Sequence, residues 1–298
     1  MTGGAGFIGS HVADSLVARG DEVVVLDNLS SGKRENVPQG ARLAEVDIRD
    51  GSLADLFDDV RPDVCFHLAA QAAVPVSVER PEYDAEVNVL GTIRVFEGCR
   101  RHGAQTVFSS TGGAIYGECD GPAPESSARR PVSPYGTSKL AGEEYLALYN
   151  RLYEAGHVAV RYANVYGPRQ DPHGEAGVVA IFLGRLHDGQ QARIFGDGLQ
   201  TRDYVYVGDV VRATLAAVGH RGGVFNVGTG VQTTVVDLYE LCRRVSGVEA
   251  EPEFAPPRLG ECRHSVVDPS LAGRELDWRP EVSLEEGLRA TWESIAGA

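Results

Sequence analysis

Three glycines open the chain at intervals of three, in Gly3-Gly4-Ala5-Gly6-Phe7-Ile8-Gly9, with Ser10-His11-Val12 following. Glycines at these places let the backbone turn tightly and approach a ligand closely, at the start of a helix whose N–H groups face outward. The β-branched run Glu22–Leu26 comes next and ends at Asp27. Val64–Leu68, Thr106–Ser109 and Val158–Tyr162 are further strand-like runs. Between them Ser10–Arg19, Ser52–Asp59, Ala85–Arg101 and Pro134–Tyr153 are helix-like. Buried strands alternating with helices predict right-handed β-α-β units and a doubly wound parallel sheet.

That pattern stops after Pro168, where Gly, Pro, Asp and Arg alternate with short helices such as Val235–Val245 and Leu284–Ser294. At about 150 residues per domain, 298 residues make one large or two small domains. The expected fold is α/β. Residues 1–165, with part of 203–230, form a Rossmann-like domain, and 166–202 with 231–298 form a smaller α/β substrate-binding domain.

The glycine turn reads as a diphosphate cradle made by Gly3, Gly6, Phe7, Ile8 and Gly9. Asp27, with Asn28 after it, stands where a carboxylate holds an adenosine ribose, about twenty residues past the turn. A carboxylate there repels a 2′-phosphate, so NAD is favoured over NADP. One part is short: only Met1 and Thr2 precede Gly3. The first strand of such a sheet is normally its centre, so the expectation is that it is missing from the chain as written, leaving two inner strands unpaired.

The charge balance is 28 Lys and Arg against 42 Asp and Glu, a net −14, which is unsuited to non-specific binding of nucleic acid. Apolar runs are well short of the roughly 18 residues that span a bilayer, and no secretory signal is visible. Cys65, Cys99, Cys119, Cys242 and Cys262 are scattered and odd in number, which fits reduced thiols in the cytoplasm. No metal motif is present. His173 and Glu175 read as a loop rather than as ligands.

Tyr135 and Lys139 are four residues apart, so on a helix they share a face. Ser133-Pro134 supplies an N-cap and first position, starting the helix just before Tyr135. Lowering a phenol from ~10 to ~7 takes about 4 kcal/mol. One cation at ~5 Å with an effective dielectric near 20 gives about 3.3 kcal/mol. Lys139 is therefore expected to make Tyr135 a usable base, with a nicotinamide cation adding the remainder.

With these segments in place, the chain resembles the extended short-chain dehydrogenase/reductase family, and within it the NAD-dependent nucleotide-sugar 4-epimerases of the UDP-glucose 4-epimerase type. The resemblance runs through the glycine turn, Leu26–Asn36, Asp47-Ile48, His67–Gln71, Asn88–Thr92, Ser109–Gly117, Tyr135–Lys139, Asn164–Arg169 and Arg202–Val205. It implies that Asp47 and Ile48 flank the adenine, and that Ala69, Ala70, Gln71 and Asn88 line the cofactor's path. It makes Thr111, rather than Ser110, the hydroxyl that meets the sugar O4. It gives the UDP moiety to Asn164, Val178, Phe195, Arg202, Arg258 and Glu261, and it implies a homodimer through the Ala85–Arg101 and Pro134–Tyr153 helices.

The reaction so implied is transfer of hydride from C4 to NAD⁺ while Tyr135 takes the hydroxyl proton, turning of the 4-keto sugar, and return of both to the other face. Related dehydratases carry an Asp-Glu pair after the catalytic Thr, and related decarboxylases an acidic residue in the same turn. Gly112-Gly113 stands there instead, which favours epimerisation over either, with a uronate epimerase as another alternative. Ser265 aligns with a position that is Tyr in some relatives, so a small side chain leaves room for N-acetylated sugars as well as plain hexoses. A non-catalytic NAD sensor is the remaining alternative. It predicts loss of the Tyr–Lys pair or of the hydroxyl, and all three are present.

Overall fold

The computed structural model describes residues 1–172, 177–257 and 262–297, which divide into two units. The first comprises Met1–Thr111, Ser133–Arg161 and Val211–Phe225. Its strands are β1 (Val24–Asp27), β2 (Arg42–Glu45), β3 (Val64–His67), β4 (Gln105–Thr111) and β5 (Val158–Tyr162). All but β2 follow the sequence runs to within two residues. β2 escapes the pattern because its two ends are exposed and its middle only half-buried.

β1 pairs in parallel with β2, and β3 with β4. The wider ladder runs Val224–Val227, β5, β4, β3. Between β1 and β3 only Thr2 bridges, parallel to Leu26 on one side and to His67 on the other. Strand order therefore runs outward in both directions from Thr2. The glycine turn leaves the sheet where the order reverses, the place at which such sheets bind ligands.

The two inner strands are not left unpaired as expected: Leu26 N donates to Met1 O and Gly3 N to Leu26 O on one side, and Thr2 N to Phe66 O and Leu68 N to Thr2 O on the other. A cleft beside Met1 and Thr2 is lined by Val24, Leu56, Phe57 and Val64. The Met1 ammonium donates to Val24 O at 2.6 Å, and burial draws its pKa below the usual value. The helix Phe7–Arg19 follows the glycine turn. Beneath the sheet Leu26, Ile48, Leu53, Phe57, Val95 and Cys99 form an apolar core. The helix expected over 85–101 is not continuous: Glu86–Gly91 is a π-helical turn, and the α-helix begins at Thr92. Turns of this kind concentrate at functional sites, and this one carries Asn88.

The second unit comprises Gly112–Val132, Tyr162–Val210 and the chain from Asn226 onward. Small ladders join Asn164–Tyr166 to Tyr204–Tyr206, Arg193–Phe195 to Glu253–Ala255, and Thr201–Arg202 to both Thr233–Thr234 and His264–Ser265. The helices Val178–His187, Val235–Ser246 and Leu284–Ala296 pack around Phe182, Leu186, Leu238, Tyr239 and Leu288. The sequence boundaries assign 112–132 to the first domain, but the structure groups this segment with the second unit. Its backbone is tied there: Cys119 N donates to His264 O and Ala123 N to Val266 O, and Ala123 bridges Val267. Residues 162–165 and 203–210 group with the second unit as well. Among the described residues no cysteine is joined in a disulfide. Among the described residues no helix is long and apolar enough to cross a membrane.

His67 fixes the one-residue bridge at the sheet centre. Thr92 Oγ1 donates to Asn88 O at 2.7 Å, so it accepts from His67 Nε2 at 3.0 Å. His67 Nδ1 then accepts from Thr2 Oγ1 at 2.7 Å. Each ring nitrogen has one partner, an arrangement that satisfies the neutral ring. Burial first, then the Lys139 charge, push its pKa down to about 3. The unfolded chain takes up a proton on this ring as pH falls through ~6.5, and the folded chain does not, so stability drops on acidification. From pH 7 to pH 5 this ring alone is expected to cost about 2 kcal/mol. Denaturant titrations at the two pH values should show the His67→Asn variant losing that much less than the parent.

Candidate active site

The glycine turn fits a dinucleotide diphosphate. Gly3 has φ +70°, and a Cβ on it would lie 2.5 Å from Ala69 N. A Cβ on Gly9 would lie 2.0 Å from Gly3 O, whereas one on Gly6 would meet nothing closer than 3.4 Å. Gly3 and Gly9 thus let the turn pack down, and Gly6 leaves the approach open. Gly6 is also the N-cap and offers no side-chain oxygen. The N–H groups of the first turn, at Phe7 and Ile8, are therefore left for an anion. Asp27, at the end of β1, is 7% exposed. It accepts from Ala5 N and Leu29 N, both at 2.9 Å, so one carboxylate ties the turn to the strand and keeps lone pairs for a ribose.

Asn28 Nδ2 donates to Asp47 at 2.7 Å. Asp47 also receives two bonds from the Arg49 guanidinium, at 2.9 and 2.8 Å, which hold its carboxyl well below the usual range. The Ile48 side chain points into the core, at 4% exposure. Ala69 N donates to Thr2 Oγ1 at 3.2 Å, and Ala70 is half-buried beside it in sequence. Gln71 and Asn88 clasp each other: Gln71 N donates to Asn88 Oδ1 at 3.0 Å and Asn88 Nδ2 to Gln71 O at 2.8 Å. Their side chains shape the loop, and both continue to Asp84.

The helix Pro134–Tyr153 starts as expected, with the Ser133 side chain accepting from Gly136 N at 3.2 Å. Alternation along β4 separates the two candidate hydroxyls. Ser110 Oγ turns to Glu143 at 2.5 Å, whereas Thr111 hydrogen-bonds the Tyr135 phenol. Lys139 is 3% exposed, and its Nζ donates to Ser109 O at 2.8 Å, 4.9 Å from the Phe108 ring centre.

The expected electrostatics of this pair need correcting. Burial, with the Asp84 charge second, pushes the Tyr135 phenol up to about 12, against the Thr111 hydrogen bond. Burial draws Lys139 down to about 8, and Asp84 and Glu143 oppose it. Desolvation of the phenolate outweighs the lysine, whose ammonium is directed at a backbone carbonyl.

In the second unit, Asn164 begins the Asn164–Tyr166 strand, and its N–H donates to Asp203 O at 2.9 Å. Val178 opens its helix against the apolar core, and Phe195 ends its strand half-buried. Arg202 Nη1 donates to Thr201 O at 2.8 Å. Arg258 and Glu261, like His173 and Glu175, lie outside the described residues. Among the described residues no group of His, Cys, Asp and Glu is arranged to hold a metal.

Two residues behind Tyr135 and Lys139 escape the motif reading: Asp84, which accepts from Ser138, and Glu143, which accepts from Arg161. In the second unit Asp203, inside the Arg202–Val205 segment, holds Thr229 and Gly230. Glu143 had a readable signal, since it follows Tyr135 and Lys139 at the same helical interval of four.

A family model described as the NAD dependent epimerase/dehydratase family matches residues 1–228. The UDP-glucose 4-epimerase of Mycolicibacterium smegmatis is 48% identical over 302 residues, covering 98% of this chain and 96% of the relative. The crystal structure of UDP-glucose 4-epimerase with UDP-glucose from Thermotoga maritima superposes with a TM-score of 0.97 at 50% identity, covering 98% and 96% of the two chains. That of the Thermus thermophilus UDP-glucose 4-epimerase in complex with NAD gives 0.95 at 48% identity, covering 100% and 98%. The chain belongs to the NAD dependent epimerase/dehydratase family. The Rossmann-like fold, the NAD cofactor and the epimerase class expected from the sequence are borne out.

Replacing Gly9 by Ala puts a methyl group into Gly3 O. The Gly9→Ala variant is expected to retain NAD at least about tenfold less tightly, with its unliganded fold preserved. Cofactor content after gel filtration, with circular dichroism as the check on folding, measures this.

Proposed function

We propose that the protein interconverts the C4 epimers of a UDP-hexose, UDP-glucose and UDP-galactose in the first place, with Tyr135 as the base and acid. The observation that carries this reading is the cluster of Thr111, Tyr135 and Lys139 at the end of β4, followed by Gly112-Gly113 with no acidic pair. NAD supplies the hydride acceptor and donor and, in its oxidised form, a positive ring charge that offsets the cost of a buried phenolate. Tyr135 takes the proton of the sugar 4-OH as the C4–H bond gives up its hydride. Thr111 holds O4 through its hydroxyl. Lys139 carries the charge that orients the pair and, with a pKa near 8, can be protonated at neutral pH. The 4-keto sugar turns, takes hydride on its other face and regains the proton from Tyr135, so nothing is oxidised overall.

The second unit supplies the residues we assign to the UDP moiety: Asn164, Val178, Phe195 and Arg202, with Arg258 and Glu261 in the same role. Ser265 favours a second substrate class. It is 4% exposed, pairs with Arg202 in register, and its Oγ lies 3.4 Å from Gly113 O, two places after Thr111 in the chain. So small a side chain next to that turn leaves space for a 2-acetamido group. The protein is further assigned as a cytoplasmic homodimer. Cysteines not joined in disulfides fit a reducing compartment. Exposed Leu90, Tyr145, Leu152 and Tyr153 all lie on the two helical segments named for the contact.

Proton NMR of UDP-galactose incubated with the purified protein is expected to show UDP-glucose accumulating without added NAD. Tyr135→Phe should lower the rate by about 10³-fold. Conversion that survives this change intact would remove Tyr135 from the mechanism. The same assay with UDP-N-acetylgalactosamine is expected to give turnover that Ser265→Tyr abolishes while sparing the plain hexose. Equal loss on both sugars would refute the pocket assignment.

A further inference from the structure

A buried carboxylate behind the catalytic helix has no role in the chemistry described so far. Asp84 is fully buried, in the short helix Pro81–Ala85 that packs against Pro134–Tyr153. It accepts from Ser138 Oγ at 2.6 Å, Gln71 Nε2 at 2.9 Å and Asn88 Nδ2 at 2.9 Å. These donors are neutral, so they satisfy its lone pairs and leave its charge uncompensated. Ser138 lies between Tyr135 and Lys139 on the helix. Gln71 and Asn88 clasp the loop along the dinucleotide path.

We propose that Asp84 is a positioning residue: its carboxylate is the counter-charge of the buried Lys139 ammonium, and through Ser138 it locks the Tyr135–Lys139 turn to the Gln71–Asn88 loop. The other charged and titratable groups around this turn do not take that part. Glu143 is occupied by the Arg161 guanidinium, at 2.9 and 2.6 Å, and by Ser110. His67 is held neutral by Thr2 and Thr92. A negative charge at Asp84 favours the protonated state of both active groups, Lys139 as ammonium and Tyr135 as phenol.

The inference rests on Tyr135 and Lys139 acting as the acid–base pair, and the test separates the two. The pH dependence of kcat/KM for UDP-galactose is measured on the NAD-loaded protein and its variants. In Asp84→Asn both limbs of the profile are expected to move down by about one pH unit, the acid limb with Tyr135 and the alkaline limb with Lys139. Ser138→Ala keeps the charge and cuts one hydrogen bond, so it should lower kcat and leave both limbs in place. Asp84→Asn with Gln71→Glu moves the carboxylate across the same hydrogen bond and should return the limbs to their original positions. Limbs that stay put in Asp84→Asn while kcat falls would reduce Asp84 to a structural role. Should that variant fail to fold, displaced limbs in the folded exchange variant overturn the proposal. A Tyr135→Phe variant that keeps full activity overturns both the proposal and the reading beneath it.

Discussion

A lysine with almost no exposed surface must be held in place by its surroundings, and much of the first unit is arranged around that need. Lys139 Nζ donates a hydrogen bond to Ser109 O, which fixes how the end of β4 runs beneath the helix. Its charge also rests on the Phe108 ring. The ring in turn comes so near the helix that a Cβ on Gly142 would lie 2.7 Å from it. Once β4 is seated in this way, alternation decides the rest: Ser110 faces the Glu143–Arg161 pair and Thr111 the phenol. A buried ion lacking such partners would be strongly destabilising. The same contacts that make burial tolerable therefore also place the groups we assign to the reaction.

Much of this was legible in the sequence because it is written in local patterns. The glycine spacing, the strand ending in Asp27 and the Ser133-Pro134 start of the catalytic helix all depend on neighbours a few residues apart, and the structure follows them closely. The resemblance favours Thr111 over Ser110, and the pleat of β4 turns Thr111 toward the phenol and Ser110 toward Glu143. The long helix Pro134–Tyr153 matches the sequence reading at both ends, because its cap and its apolar face are both local features.

What stayed hidden depends on groups far apart in the chain. Asp84 looks like one acidic residue in an exposed helical turn until Gln71, Asn88 and Ser138 converge on it. A spacing of four gives the distance from Tyr135 to Lys139 but not the desolvation that both groups undergo. His67 reads as a strand residue, and only its burial between Thr2 and Thr92 shows what keeps it neutral. The unit boundary at 112–132 is set by bonds to residues more than a hundred places later. No periodicity in the segment itself reports them.

The sealed placement of these charges has a bearing on salt. At physiological ionic strength dissolved ions screen exposed charges over about 8 Å, but they act far less on groups from which water is excluded. Lys139, Asp84, Glu143 and Arg161 are each 3% exposed or less, so the field that sets proton transfer is carried inside the protein. Half-exposed Arg202 has no such protection. In the roles we propose for these residues, the two stages of the reaction answer differently to the medium: capture of a charged nucleotide weakens as electrolyte is added, while the chemistry after capture proceeds at nearly the same pace.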